Sequence, residues 1–264
     1  MNLLSHEISQ SIKKVILQAG EIMLNASPDS LRCEQKSKYA DFVTAYDLKV
    51  QEFLHSALRE IIPNCRFLSE EGESDPLSGL PTFVIDPIDG TTNFVLGRGD
   101  AVISVGLLVD RAPIFGAVYN PYSKEYFHAV RDGGAFLNSK PIRVASRPCE
   151  LGVAAIGTSP YHKDTQSPFV VRAFTRLLKG FGDLRKNGAA ALELCYVACG
   201  RTDAYFEPIL YPWDYTAGAL IVSEAGGKVS DLDGAPPSPD KPCFIVAASE
   251  AAYPTALKLL QESL

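Results

Sequence analysis

The 264-residue chain has no apolar run long enough to span a bilayer, and its segment from Leu3 to Leu24 is interrupted by His6, Glu7, Lys13, Lys14 and Glu21. A transmembrane helix and a signal-peptide core are therefore not expected, and the reading is of a cytoplasmic protein with no membrane partner. Cysteine is sparse. The six residues, at 33, 65, 149, 195, 199 and 243, show no C-x-x-C spacing and read as reduced core thiols. The four histidines, at 6, 55, 128 and 162, have no metal-ligand spacing, which disfavours zinc. Basic residues are also in deficit, 25 Lys and Arg against 31 Asp and Glu, for a net charge of −6. Nonspecific nucleic-acid binding rests on clustered cations, so nucleic acid is not an expected partner.

What is present suits an ordinary globular fold: 46% of residues are hydrophobic and 21% charged. A chain of this length can bury roughly 70 to 75% of its unfolded surface without staples. Ile8, Ile12, Val15, Ile16, Ala19 and Met23 follow helical spacing. After a break at Pro28 and Asp29, a second helical pattern runs through Val50, Phe53, Leu54, Leu58 and Ile61 and stops at Pro63, with Asp47 at its start. Phe67 and Leu68 read as a short strand, followed by a loop from Glu73 to Gly79 whose composition suits a mobile flap. From Ala101, three strands and their turns make an antiparallel meander, with a return from Ala135 to Leu137.

A boundary between two lobes, 1–147 and 148–264, falls near Pro148. Beyond it strands and helices alternate, as in an α/β half: a strand from Val153 to Ile156, a helix from Phe169 to Leu178, and a strand from Asp183 to Lys186. A helix from Ala189 to Cys199, a strand ending at Glu207 and a helix opening at Trp213-Asp214 follow. The strand Phe244 to Ala248 and a helix from Tyr253 close the chain.

The densest chemistry lies in FVIDPIDGTTNF, Phe83 to Phe94. Phe83, Val84 and Ile85 read as the end of a buried strand, and Pro87 pushes Asp86 into an extended conformation. The chain is expected to turn through Ile88, Asp89 and Gly90 and to start a short helix at Thr91-Thr92-Asn93. Two carboxylates on one rigid turn suit a hard divalent cation such as Mg²⁺, and helix-start amides beside Gly90 suit a phosphate. As isolated dipeptides, D-P and D-G serve equally well as plain turns.

The whole string D-P-I-D-G-T-T resembles the first signature of the inositol monophosphatase family, Mg²⁺-dependent and lithium-sensitive phosphomonoesterases. Three more stretches resemble family motifs in family order: ADFVTAYD (Ala40 to Asp47), the Glu70-Glu71 pair, and Trp213-Asp214 leading to Glu224-Ala225-Gly226-Gly227. The resemblance implies the layered α-β-α-β-α sandwich shared with fructose-1,6-bisphosphatase. It implies that Glu70, Asp86 and the Ile88 carbonyl hold one Mg²⁺, that Asp86, Asp89 and Asp214 hold a second, and that a third, weaker ion binds near Glu70. Thr91, oriented by Asp47, and Glu70 would position the attacking water. Substrate contacts are implied for Gly90, Thr91, Gly188, Ala189, Ala190, Glu207 and Asp214, Lys36 is a more distant electrostatic contributor, and Glu71 and His162 stay open.

Thr216 departs from the pattern, which has Ala or Cys there, and a shifted lithium or substrate preference is one consequence weighed. The implied reaction is hydrolysis of a small phosphate monoester, inositol monophosphate first. Histidinol phosphate, fructose 1,6-bisphosphate and 3′-phosphoadenosine 5′-phosphate are alternatives within the class, and a noncatalytic phosphate- or protein-binding relative is an alternative outside it. Family members are often dimers, and Tyr205 to Trp213 is the stretch expected to contribute to a homodimer interface.

Overall fold

Helix α1 (His6–Leu24) starts where the Ser5 hydroxyl accepts from the Ile8 amide at 3.2 Å, and it buries Ile12, Val15, Ile16, Ala19 and Met23 along one stripe. This matches its periodicity. The computed structural model describes residues 4–26, 33–35, 42–72, 75–158 and 163–264. Lys36, Asp41, His162 and the Pro28-Asp29 break lie outside the described residues. A two-stranded ribbon, β1 (Cys33–Gln35) with β2 (Phe42–Thr44), precedes α2 (Ala45–Ile61). Each strand has three residues, too few for a period that would show this ribbon in the sequence.

A seven-stranded sheet follows, in the spatial order β3 (Arg66–Ser69), β4 (Thr82–Asp89), β5 (Val102–Val109), β6 (Ala112–Asn120), β7 (Glu125–Val130), β8 (Ala135–Leu137) and β9 (Lys140–Pro141). The expected meander is there; the first pair, β3 with β4, is parallel and the rest antiparallel. The short helix α3 (Thr91–Val95) joins β4 to β5. The Glu73–Gly79 flap is described only from Asp75, and that residue is tied down. Its carboxylate accepts from the Phe67 amide at 3.0 Å, and its own amide donates to the Phe67 carbonyl at 2.9 Å.

After the 3-10 turn at Cys149–Leu151 come β10 (Val153–Ile156), α4 (Lys163–Gly180), β11 (Asp183–Arg185), α5 (Ala190–Ala198), β12 (Ala204–Leu210), α6 (Pro212–Glu224), β13 (Gly227–Ser230), β14 (Cys243–Ser249) and α7 (Tyr253–Gln261). The strands make a second sheet in the order β11-β10-β12-β14-β13, with β10 parallel to β11 and β12 and the β14 pairings antiparallel. Helix α4 begins before Phe169, and Pro168 lies inside it rather than ahead of it.

The packing order is α1 and α2, the seven-stranded sheet, α5 and α6, the five-stranded sheet, then α4 and α7. This is the expected five-layer sandwich. Helices α5 and α6 are apolar on nearly every side because a sheet covers each face. Gly106 lets α6 approach β5: a Cβ there would come within 2.9 Å of the Thr216 methyl. The Thr216 hydroxyl donates to the Pro212 carbonyl at 2.6 Å, and the residue is buried. Thr216 is thus a packing residue on the sheet side of α6 and does not line the cleft described below. Among the described residues no helix is long and apolar enough to cross a membrane, and five cysteines are free thiols.

Candidate active site

The turn expected at Ile88 begins later. Strand β4 continues through Asp86-Pro87-Ile88-Asp89, and the turn starts at Gly90. The cause is a bulge. Asp86 pairs with Ser104 and Asp89 with Val102, so three steps on β4 oppose two on β5. Pro87, which has no amide to give the ladder, sits in the extra span. Residues three apart on a regular strand face opposite sides; the added residue offsets that alternation, and Asp86 and Asp89 both line one cleft.

Glu70 arrives by the neighbouring strand. Ser69 of β3 pairs in parallel with Ile85 of β4, and the Glu70 amide donates to the Ile85 carbonyl at 3.2 Å, which sets Glu70 beside Asp86. Glu71 is also buried, with its backbone held by Gln51 at 2.7 and 3.2 Å, and it does not line the cleft. Gly90 has φ +84°, and a Cβ on it would fall 3.0 Å from both the Ala189 Cβ and the Asp100 carbonyl. Glycine is therefore required by backbone and by space.

Asp214 is the third residue of α6 and accepts from the Tyr211 amide at 2.6 Å, a capping contact that leaves its other oxygen for the cleft. Asp47 plays the matching part on α2. One of its oxygens accepts from the Thr44 amide at 2.8 Å and the Thr44 hydroxyl at 2.6 Å, and the other lies 3.3 Å from the Thr91 hydroxyl. That hydroxyl is also 3.1 Å from the Ile88 carbonyl. Both contacts draw the Thr91 proton into the protein and leave its lone pairs for other donors.

Gly188, Ala189 and Ala190 line the cleft as expected, but the amides at the start of α5 are not all open to a ligand. Asp89 accepts from Ala190 at 3.0 Å and from Ala191 at 2.6 Å, capping the helix from 101 residues away. Asn93 ties the same two regions together, its side-chain amide donating to the Asp100 and Asn187 carbonyls at 2.8 Å each. Glu207 is buried and accepts from the Tyr205 hydroxyl at 2.6 Å.

The cleft therefore gathers Glu70, Asp86, Asp89, Glu207 and Asp214. Burial, then the charges of Glu70, Asp89, Asp214 and Asp47, push Asp86 well above the usual carboxylate range. Asp214 is raised by burial and by Glu70 and Asp89. Asp89 rises to about 7 through burial, although the Ala191 and Ala190 amides oppose the shift. Glu207 also rises to about 7, again through burial, with Tyr205 and Lys186 opposing it.

Among the described residues, no group of three or more His, Cys, Asp or Glu side chains is arranged to hold an ion, and Asp89 and Asp214 turn oxygens toward backbone amides. The donor set nevertheless fits a hard divalent cation: every candidate ligand is oxygen, most are anionic, and their mutual repulsion is what a cation relieves.

Four lining residues, Thr158, Lys186, Glu193 and Tyr211, carried no signal as site residues in the sequence. Tyr205 carried one, since it stands two residues before Glu207 on a strand and shares its face. The stretch Tyr205 to Trp213, expected at a homodimer interface, is divided between interior and surface. Tyr205 and Phe206 are buried because β12 is an interior strand, whereas Tyr211 is exposed and stacks on Trp213 with centroids 5.1 Å apart.

Comparison with known proteins agrees with this fold. The family model described as the inositol monophosphatase family matches residues 4–264. Inositol monophosphatase 2 of Solanum lycopersicum is 39% identical over 227 residues, covering 82% of this chain and 84% of that protein. The structure of the extragenic suppressor protein suhB from Bartonella henselae superposes with a TM-score of 0.91 at 30% identity, covering 98% of this chain and all 100% of that one. SaIMPase-II with inositol monophosphate bound superposes with a TM-score of 0.82 at 26% identity, covering 97% and 94%. The chain belongs to the inositol monophosphatase family, whose members are phosphatases.

Proposed function

We propose that the chain is a Mg²⁺-dependent phosphomonoesterase of the cytoplasm whose first substrate is inositol monophosphate. The observation that carries this reading is the meeting of Glu70, Asp86, Asp89 and Asp214 in one cleft beside the Asp47–Thr91 pair. Glu70, Asp86 and the Ile88 carbonyl would hold one ion, Asp86, Asp89 and Asp214 a second, with room for a third by Glu70. Bound divalent cations supply charge neutralisation for the phosphate and acidify water.

The rest falls to the chain's own side chains. With its proton directed at Asp47 or Ile88, the Thr91 hydroxyl accepts a hydrogen bond from the attacking water and fixes its lone pair toward phosphorus. Glu70, at the mouth of the same cleft, takes up the proton of that water. The amides of Gly90 and Thr91 are the proposed donors to the phosphate oxygens, and Glu207 accepts from a hydroxyl of the alcohol half. The structure of SaIMPase-II with inositol monophosphate bound supports a polyol phosphate as substrate.

The test is phosphate release from inositol 1-phosphate, histidinol phosphate, fructose 1,6-bisphosphate and 3′-phosphoadenosine 5′-phosphate, each with and without Mg²⁺ and Li⁺. The expected result is Mg²⁺-dependent, Li⁺-inhibited release with inositol 1-phosphate preferred. Binding of these compounds without turnover would favour a noncatalytic relative instead.

A further inference from the structure

Lys186 is the one cation among the described residues that line the cleft, against Glu70, Asp86, Asp89, Glu193, Glu207 and Asp214. The sheet explains its place. Strands β11, β10 and β12 are parallel neighbours, and the register sets Glu207 of β12 just past the Ile156–Phe206 pair, level with Lys186 and Thr158 beyond the C-terminal ends of β11 and β10. The Lys186 ammonium donates to the Thr158 hydroxyl at 2.6 Å, which holds the flexible side chain against this wall and leaves two of its three protons for a ligand. Its charge also favours the ionised forms of Glu207 and Glu193.

Two carboxylate oxygens on the same wall are set for further contacts. Glu207 gives Oε2 to the Tyr205 hydroxyl and retains Oε1. Glu193 accepts from the Asn187 amide through Oε1 at 2.8 Å, while its Oε2 is buried with no hydrogen-bond partner. A buried oxygen left in that state calls for a water or a ligand. The charges at this end limit the ligand. A second anionic group would meet two buried carboxylates beside one ammonium. Neutral hydroxyls match both, donating to Glu207 and accepting from Lys186.

We propose that Lys186 binds the alcohol half of the substrate: its ammonium donates to one hydroxyl there while Glu207 accepts from a neighbouring one. The inference rests on the phosphatase reading above and adds a specificity-determining residue to it.

The experiment is steady-state phosphate release with Mg²⁺ from inositol 1-phosphate, fructose 1,6-bisphosphate and p-nitrophenyl phosphate by the wild type, Lys186→Met and Lys186→Arg. Loss of one charged hydrogen bond should raise the KM of Lys186→Met for inositol 1-phosphate roughly tenfold, with kcat within about twofold. The change for p-nitrophenyl phosphate, which has no alcohol hydroxyl, should be at least about fivefold smaller, and Lys186→Arg should recover most of the loss. Equal changes on both substrates, or none on either, would overturn the proposal. So would a larger loss on fructose 1,6-bisphosphate, which would assign Lys186 to an anion. A wild type that cleaves p-nitrophenyl phosphate without preferring inositol 1-phosphate removes this proposal alone, whereas one inactive on all three removes the phosphatase reading with it.

Discussion

At the scale of single residues, the division of labour among the carboxylates can be tested through Glu207. It is buried, hydrogen-bonded to Tyr205, and carried by β12 of the five-stranded sheet, apart from the β3–β4 pair that presents Glu70 and Asp86. Glu207→Gln should raise KM for inositol 1-phosphate by about tenfold, the worth of one hydrogen bond to a charged group, and shift the Mg²⁺ concentration at half-activity by less than about twofold. A large rise in that Mg²⁺ concentration would place Glu207 among the ion ligands. Asp86 and Asp89 stood out in the sequence beside Pro87 and Gly90, whereas Asp47 and Asp214 read as helix caps and were singled out only by the family resemblance. Lys186 and Glu193 did not stand out, because a lysine before a helix and a glutamate within one are usually surface residues. Only the second sheet, folded against α5, turns them into the cleft.

At the scale of elements, the junction of β4, α3 and α5 is held by Asp89 capping α5, by Asn93 reaching Asn187 and by close packing at Gly90. Gly90→Ala would force a left-handed backbone on alanine and press its Cβ against Ala189 and the Asp100 carbonyl. A loss of stability of about 2 kcal/mol is expected from urea unfolding, together with loss of activity. Wild-type stability in this variant would mean that the junction is slack.

The α2–β3 contact carries a pH dependence. His55 stacks on Phe67 with centroids 4.1 Å apart and lies 2.8 Å from the Ser69 hydroxyl. Burial and Arg59, opposed by Asp75, push it down to about 4. Between that value and the ordinary 6.5 the unfolded chain takes up a proton that the folded chain refuses, so stability is full above 6.5 and falls as pH drops toward 4. Partial exposure reduces the effect to about 1 kcal/mol. His55→Gln should flatten the stability curve between those two pH limits, and parallel curves for variant and wild type would contradict the assignment. Most elements were legible from period and punctuation. The ones that were not are β1, β2, β9 and β13, each of two to four residues, too short to show alternation and formed by pairing with partners supplied elsewhere.

At the scale of the whole molecule, the cleft belongs to no single sheet. The seven-stranded sheet supplies Glu70, Asp86 and Asp89, α6 supplies Asp214, and the five-stranded sheet supplies Glu207. Asp89 capping α5 and Asn93 reaching Asn187 join these parts. The order of layers followed from the resemblance. The long-range capping did not, because no local pattern links residues 101 positions apart.

Gathering these carboxylates raises Asp86, Asp89 and Asp214 together, a strain that a divalent cation would relieve. Asp86→Asn removes one buried charge while its carbonyl can still accept from the Ile88 amide. In EDTA that variant should melt no lower than the wild type, which shows the fold is kept. The most direct test of the account is then the rate of phosphate release from inositol 1-phosphate across a Mg²⁺ series, wild type against Asp86→Asn. The expected result is a Mg²⁺-dependent rate for the wild type and one lower by about a thousandfold or more for the variant at every concentration. A rate near that of the wild type in Asp86→Asn would contradict it.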